Sequence, residues 1–265
     1  MASVQMEPRP HYLSVVIPAY NESHRLPQTL DEIKPYLDAR FPRHEVIVVD
    51  DGSSDGTPDL VERRAAQDWP TLRVLRQPRN LGKGAAVRRG CLEARGDLVL
   101  FMDADHATPI QEVERFIDDI ECHGAGVVVG VRTYQEHESK WRRILGLGVQ
   151  IMAHLIVFRK AVIDSQCGFK LFTRQTVQQI FPLCRVDGGM IDVELFYLLH
   201  RFNVPCYYEP VHWDNKEGSR INIVRCMLFD PVDMVKIRLR DAVGTAKRPV
   251  RQERQPWSMR HGLKH

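Results

Sequence analysis

The 265-residue sequence lacks the features that mark disulfide-rich, membrane-spanning or nucleic-acid-binding proteins. Its six cysteines lie far apart and form no CxxC pair, which argues against a zinc site and against a dense disulfide framework. No window approaches the roughly 18 to 20 apolar residues that cross a bilayer, and the first residues lack a signal-peptide pattern. We therefore expect a cytoplasmic chain that does not span a membrane.

Strong charge and sequence repeats are also missing. The net charge of +3 is too small to indicate a nucleic-acid partner. The hydrophobic (43%) and charged (27%) fractions are ordinary for a folded protein, and an α/β fold of this length buries one continuous core. The sequence predicts a single domain over residues 1–245 and a flexible basic tail over residues 246–265, which are rich in Arg, Gln and Pro.

Short β-branched runs, turns and amphipathic stretches alternate over the first 130 residues, a pattern typical of a parallel sheet built from βαβ units. The runs are continuously apolar, which indicates burial on both faces of the sheet. The predicted strands are Tyr12–Ile17, Glu45–Val49, Leu72–Leu75, Asp97–Met102 and Gly126–Gly130. The predicted helices begin near Leu26, Thr57, Gly84 and Pro109, with Thr57 and Thr108 as N-caps before a proline.

Beyond Arg132 the alternation gives way to a different order of elements. The sequence predicts helices over 141–159, Thr173–Leu183 and Ile191–Arg201, strand-like character over 164–173 and a strand over Pro205–Pro210. The fold class that follows is α/β, with a mostly parallel sheet flanked by helices and a C-terminal helical appendage.

Acidic residues follow three of the predicted strands at the point where each strand ends. These are Glu22 after the first strand, Asp50 and Asp51 after the second, and Asp103 and Asp105 after the fourth. Ligands of open parallel sheets bind at the carboxyl ends of the strands, so we expect these groups to converge on one crevice. Carboxylates held together repel unless a cation compensates them. Mg²⁺ and Mn²⁺ prefer oxygen ligands, so the pair Asp103 and Asp105 predicts a metal site.

Each acidic pair also has a simpler interpretation. Asp103 and Asp105 fit a solvated turn or a helix cap as well as a metal site. Asp50 and Asp51 either accept from the imide N–H and ribose hydroxyls of a uridine-type nucleotide or form the tight turn that Asp-Gly-Ser-Ser-Asp-Gly favours. No P-loop motif is present. In Asn80-Leu81-Gly82-Lys83-Gly84, backbone N–H groups and Lys83 would approach a nucleotide or sugar where a helix begins.

Together, the motifs of the first half resemble family 2 glycosyltransferases of the GT-A (Rossmann-like) fold. They are Val16-Ile17-Pro18-Ala19-Tyr20-Asn21-Glu22, Val49-Asp50-Asp51-Gly52-Ser53-Ser54-Asp55-Gly56-Thr57, Asn80-Leu81-Gly82-Lys83-Gly84 and Met102-Asp103-Ala104-Asp105. The second half is similar to the dolichyl-phosphate β-glucosyltransferases within that family, which are related to dolichyl-phosphate mannose synthase. The segments that carry this likeness are 164–172, 191–195, and Trp213 with Glu217-Gly218-Ser219-Arg220.

The resemblance implies a nucleotide-binding half at about 12–132 and an acceptor half at about 133–245. It implies that Asp103 and Asp105 hold Mg²⁺ or Mn²⁺ against the diphosphate. The residues implied in binding the nucleotide sugar are Pro18, Tyr20, Glu22, Asp50, Asp51, Lys83 and Asp103. Those implied in binding the acceptor phosphate are Arg132, Arg142, Arg143, Ser219 and Arg220, among which Arg142 and Arg143 fit surface salt bridges equally well.

The implied reaction is inverting transfer of glucose from UDP-glucose to a polyprenyl or dolichyl phosphate, with Arg132 and Arg220 near the reacting groups. A lipid phosphate is already an oxyanion, so no general base is required. For an alcohol acceptor, the base would be Asp192, which also fits a carboxylate at a helix N-terminus. Mannose-transferring relatives often carry Gln where this chain has Ala107, which favours UDP-glucose over GDP-mannose.

Three alternatives stay open at the level of sequence. The donor could be another nucleotide sugar, the acceptor could be a soluble molecule or glycan, or the chain could be a nucleotide-binding scaffold. The eukaryotic relatives carry an N-terminal membrane helix that this sequence lacks, so membrane contact would be peripheral, on the cytoplasmic face. The segments 144–158 and 232–239 fit that contact, and the first equally fits a buried core helix. The oligomeric state is undetermined.

Overall fold

The computed structural model describes residues 7–132, 167–214, 233, 235–237 and 239, together with the backbone of 258–259. An eight-stranded sheet organises these ranges, in the order β3-β2-β1-β4-β6-β5-β7-β8. Its strands are β1 Leu13–Ala19, β2 His44–Asp50, β3 Leu72–Arg76, β4 Leu98–Met102, β5 Val127–Arg132, β6 Phe169–Thr173, β7 Cys206–Val211 and β8 Ser258–Met259. The helices are α1 Leu26–Arg40, α2 Thr57–Asp68, α3 Lys83–Glu93, α4 Val113–His123, α5 Arg174–Ile180 and α6 Ile191–Arg201, with 3₁₀ turns at Ile110–Glu112 and Phe181–Leu183.

The mostly parallel α/β sheet predicted from the sequence is confirmed. Strand β1 pairs in parallel with β2 and β4, and β5 pairs in parallel with β7. Strand β6 is the exception, because it runs antiparallel to both of its neighbours, β4 and β5. This reversed strand brings residues 167–170 back to the edge of the sheet where β4 ends.

Helices cover both faces of the sheet, which explains why the strands are continuously apolar. Alternate residues of each central strand enter two separate cores, as Val46 and Val48 do on one face and Ile47 and Val49 on the other. The first core contains residues of α1, α2 and α4, and the second contains residues of α3, α5 and α6.

Two predicted helix starts differ in detail. Helix α2 has Gly56, with φ of 82°, as its N-cap, and Thr57 is its first residue. The hydroxyl of Thr57 is used elsewhere, since it donates to Asp55 and accepts from the backbone N–H of Glu22. Helix α4 begins at Val113, after a 3₁₀ turn that follows Pro109. The helix predicted from Thr173 begins as expected, with the Thr173 hydroxyl accepting from the N–H of Thr176.

Several sequence-based predictions fall outside the described residues. These include the helix over 141–159, the apolar segment 144–158 and most of the tail at 246–265. Within that tail, the backbone of Ser258–Met259 pairs in parallel with β7 at the sheet edge. Among the helices in the described ranges, none has the length and apolarity needed to cross a bilayer.

Candidate active site

The carboxyl ends of β1, β2 and β4 meet at one edge of the sheet, since β1 lies between the other two strands and is parallel to both. Asp50 is the last residue of β2 and pairs with Ala19 at the end of β1. Asp103 follows the last residue of β4. The acidic groups predicted to converge therefore lie at a common edge, as expected for the ligand crevice of an open parallel sheet.

Asp50 and Asp51 are both buried, but their carboxylates have different partners. The Asp51 carboxylate accepts three hydrogen bonds of 2.8 Å, from the side chain of Gln77 and from the backbone N–H groups of Leu81 and Gly82. Burial raises the pKa of Asp51 despite these bonds. Among the described residues, the Asp50 carboxylate accepts only from the N–H of Ser53, at 3.2 Å. Its Oδ1 is buried and has no hydrogen-bond donor among the described residues.

The loops after β1 and β2 are joined by hydrogen bonds. The N–H of Asn21 donates to the Ser53 hydroxyl at 2.8 Å, and the Asn21 side chain accepts from the N–H of Ser54 at 2.9 Å. Glu22 forms a bidentate ion pair with Arg25 at 2.6 and 2.7 Å. Next to them, the Tyr20 side chain is exposed (41%), and Pro18 lies one residue before the end of β1. The hydrogen bonds of Asn21 therefore tie the loop after β1 to the loop after β2.

Asp103 is bonded to Lys83 and packed against Gly168. The Lys83 ammonium lies 2.7 Å from Asp103 Oδ1, with both side chains half-buried. Burial alone would lower the pKa of Lys83, but the carboxylates of Asp103 and Asp192 outweigh it and raise that pKa. The N–H of Asp103 donates to the Gly168 carbonyl at 3.0 Å. A Cβ at residue 168 would overlap the Asp103 carboxylate, so any residue other than glycine there would have to displace that side chain.

Asp105 lies on the other side of a small crevice that also contains Ala107, Gly168 and Trp213. Its carboxylate accepts from the N–H of Ala107 at 3.2 Å. Burial and the charge of Asp103 both raise the pKa of Asp105. A cation would relieve that repulsion. The Arg132 guanidinium stacks over the Trp213 ring at 5.4 Å, which places Arg132 at the same crevice.

The donor set available for a metal is small. In the described part of the chain, no three His, Cys, Asp or Glu side chains are grouped closely enough to hold an ion by themselves. Asp103 and Asp105 therefore offer an incomplete shell of hard oxygens. Such a pair fits Mg²⁺ or Mn²⁺, which take remaining ligands from phosphate and water. Lys83 would have to share Asp103 with the ion.

Asp192 lies in the first turn of α6 and is buried (3% exposed). Its Oδ1 accepts from the ammonium of Lys170 at 2.8 Å. This partner was not predicted, although the signal was present: Lys170 is a single lysine inside the apolar strand Phe169-Lys170-Leu171-Phe172. The base role of Asp192 stays a prediction, as do the acceptor roles of Arg142, Arg143, Ser219 and Arg220, which lie outside the described residues.

Comparisons with known proteins agree with this geometry. The sequence profile of Glycosyl transferase family 2 matches residues 14–181. A dolichyl-phosphate beta-glucosyltransferase of Dictyostelium discoideum is 37% identical over 251 residues, which cover 89% of this chain and 76% of that protein. The Homo sapiens protein of the same name is 36% identical over 249 residues, covering 88% and 76%.

Solved structures share the fold at low sequence identity. Mannosyl-3-phosphoglycerate synthase from Rubrobacter xylanophilus superposes with a TM-score of 0.66 at 19% identity, covering 89% of this chain and 77% of that one. Glucosyl-3-phosphoglycerate synthase from Mycobacterium tuberculosis, solved with Mn²⁺, UDP-glucose and phosphoglyceric acid, gives 0.61 at 19% identity, covering 86% and 80%. The fold is the GT-A fold that the motifs indicated. From the profile match and these relatives, we conclude that the chain belongs to glycosyl transferase family 2.

Proposed function

We propose that this protein is an inverting hexosyltransferase that moves glucose from UDP-glucose to a polyprenyl or dolichyl phosphate, giving a β-linked lipid-phosphate sugar. The named function of its relatives from Dictyostelium and human, which align over most of the chain, supports this assignment. The structural observation that carries it is the meeting of Asp50, Asp103, Asp105 and Lys83 at the carboxyl edge of the sheet.

The nucleotide site is proposed around Asp50 and Tyr20. A buried carboxylate oxygen without a donor is unfavourable, so Asp50 Oδ1 suits the imide N–H of a uracil base. Tyr20 follows Ala19, the β1 residue that pairs with Asp50, and its exposed ring offers a surface for a flat base. Pro18 and Glu22 complete this proposed site, and Asp51 supports it by holding the loop that leads to Lys83.

The diphosphate site is proposed at Lys83, Asp103 and Asp105. When bound there, Mg²⁺ or Mn²⁺ would neutralise the diphosphate as it leaves the sugar. Burial and then the charge of Asp103 raise the pKa of Asp105, and such an ion would offset the repulsion between the two carboxylates. The Lys83 ammonium, kept charged by Asp103 and Asp192, can turn to a phosphate oxygen in the same crevice.

The acceptor phosphate is proposed to bind beside Arg132. This guanidinium stacks on Trp213, which lines the crevice of Asp103 and Asp105, so a phosphate there lies near the donor sugar. Arg142, Arg143, Ser219 and Arg220 are proposed to join it. A phosphate oxyanion attacks without a base, whereas an alcohol would need Asp192. The bound lipid implies peripheral contact with the cytoplasmic face of a membrane.

Product analysis tests the proposal. The purified protein with Mn²⁺ is mixed with UDP-glucose, UDP-galactose or GDP-mannose, and with polyprenyl phosphate, phosphoglycerate or a free sugar. We expect a product, glucosyl lipid phosphate, only in the mixture that combines UDP-glucose with polyprenyl phosphate. Product formed from another donor, or with phosphoglycerate or a free sugar, would show that the proposed donor or acceptor is wrong. Tight UDP-glucose binding without turnover on any acceptor would instead indicate a scaffold.

The metal site has its own test. Replacing Asp105 with alanine removes one of the two proposed ligands, and we expect activity to fall by at least about 100-fold. EDTA should have the same effect on the parent protein, and Mn²⁺ should reverse it. An Asp105→Ala variant that keeps full metal-dependent activity would show that the ion binds elsewhere.

A further inference from the structure

Lys170 occupies a buried strand position that is surrounded by apolar residues. It is 1% exposed, in β6, and pairs with Phe101 of β4 on one side and Val129 of β5 on the other. Both of those residues belong to the apolar core beneath α3 and α6. A buried ammonium costs several kcal/mol unless it is paired. Keeping this charge in the centre of the sheet therefore needs an explanation.

The ammonium of Lys170 has two acceptors and one aromatic neighbour. It donates to the backbone carbonyl of Cys167 and, at 2.8 Å, to Asp192 Oδ1. Its nitrogen lies 5.5 Å from the centre of the Phe101 ring, and the Lys83 nitrogen lies 5.3 Å from the same ring. Lys170 thus joins the entry of β6 to the first turn of α6, next to the Lys83–Asp103 ion pair.

The entry of β6 is the segment against which Asp103 rests. Gly168 accepts from the Asp103 N–H at 3.0 Å, and its Cα lies so close to the Asp103 carboxylate that a Cβ would overlap it. A shift of Cys167 and Gly168 would move that carboxylate. Lys170 donates to the Cys167 carbonyl and so helps to hold this segment.

A second connection runs through α6. The segment before this helix contacts the start of α3, where the N–H of Ala85 donates to the Asp187 carbonyl at 3.1 Å. Lys83, the first residue of α3, then reaches Asp103 at 2.7 Å. The buried pair Lys170–Asp192 is therefore connected to Asp103 by two routes.

We propose that Lys170 is a positioning residue for the metal site, holding the Asp103 carboxylate in place through Cys167 and Gly168 with Asp192 as its counter-ion. This inference rests on the proposed role of Asp103 in metal–diphosphate binding. The buried charge pair would then govern metal affinity, separately from the nucleoside, whose proposed site is at Asp50 on the other side of β1.

The test separates metal affinity from nucleotide affinity. In the variant Lys170→Met/Asp192→Leu, both charges are replaced by apolar groups, a change that often leaves stability nearly unaltered. We expect UDP without metal to bind within about twofold of the parent protein, measured by calorimetry. We expect Mn²⁺ affinity at saturating UDP, measured by electron paramagnetic resonance, to fall roughly 10- to 100-fold. Lys34→Met, which removes an ion-paired lysine from α1, is the control and should match the parent.

Gly168→Ala provides a second measurement that leaves the buried pair intact. Its Cβ displaces the Asp103 carboxylate directly, so Mn²⁺ affinity should fall while metal-free UDP binding persists. Unchanged Mn²⁺ affinity in the double variant would overturn the inference. If the double variant does not fold, unchanged Mn²⁺ affinity in Gly168→Ala would overturn it. A parent protein that binds UDP but not Mn²⁺ would overturn the proposed metal role and this inference with it.

Discussion

Asp50 and Asp51 are adjacent in sequence, yet their surroundings predict different effects of mutation. Asp51 holds the backbone of Leu81 and Gly82, so Asp51→Ala leaves part-buried donors unsatisfied. We expect a loss of about 1–3 kcal/mol in the free energy of unfolding, measured by urea denaturation. Asp50→Ala loses one hydrogen bond to Ser53, so its effect on stability should be smaller, while UDP affinity measured by calorimetry should fall roughly tenfold or more.

Each of these two variants is the control for the other, because each removes one buried carboxylate from the same strand end. Equal destabilisation by both, with UDP affinity retained in Asp50→Ala, would contradict the division of roles. Asp51→Ala that remains as stable as the parent would show that the 77–82 loop is held by other contacts.

Helix α3 packs closely against the segment before α6 near the site. A Cβ at Gly84 would lie 2.5 Å from the Val186 carbonyl oxygen and 2.8 Å from that of Gly188. Gly84→Ala must therefore separate the two elements, and we expect a loss of about 1–3 kcal/mol together with weaker UDP-glucose binding through displaced Lys83. Thermal unfolding and calorimetry measure the two effects.

Gly189→Ala is the matched control, since no atom of the described residues lies within 4 Å of a Cβ at that position. It should leave the melting temperature unchanged to within about 1 °C. If Gly84→Ala behaved in the same way, the start of α3 would be able to shift without disturbing Lys83.

An ion-paired group around Glu114 joins α4 to α1 and to the segment before β1. The Glu114 carboxylate accepts from Arg9, from Arg40 of α1 and, at 2.9 Å, from the Tyr36 hydroxyl. Burial alone would raise the pKa of Glu114, but these hydrogen bonds outweigh it and lower that pKa below its ordinary value of 4.5. The stabilisation is therefore complete above about pH 4.5 and is lost as the pH falls through the lowered pKa.

Glu114→Gln should be less stable than the parent by about 1–2 kcal/mol at pH 7. The difference should shrink as the pH is lowered through the pKa of Glu114, because the parent carboxyl then becomes neutral as well. Urea denaturation at pH 7, 4.5 and 3.5 measures this trend. If the stability difference between the variant and the parent stayed constant across the pH series, the charge of Glu114 would contribute nothing to stability.

Over the whole molecule, the sequence predicts what is local or periodic. Apolar strands, the helix starts and the acidic strand ends depend on neighbouring residues, and the structure places them as expected except for the N-cap of α2 and the later start of α4. The direction of β6 cannot be predicted from periodicity, because a continuously apolar strand has the same pattern whether it runs parallel or antiparallel to its neighbours. The salt link of Lys170 to Asp192 spans 22 residues and depends on that reversal. The different roles of Asp50 and Asp51 likewise depend on the distant loop at 77–82.

Because β8 lies far from the candidate site, we expect the C-terminal segment to affect association between copies rather than nucleotide binding. Strand β8 lies at the sheet edge, four positions from β4, where Asp103 and Asp105 follow. Deleting residues 246–265 removes β8 and leaves β7 with an unpaired edge, which favours pairing between copies. We expect the truncated protein to bind UDP-glucose with Mn²⁺ as the full chain does, by calorimetry, but to self-associate more strongly in light scattering at raised concentration. Loss of nucleotide binding in the truncated protein would show instead that the segment reaches the active site.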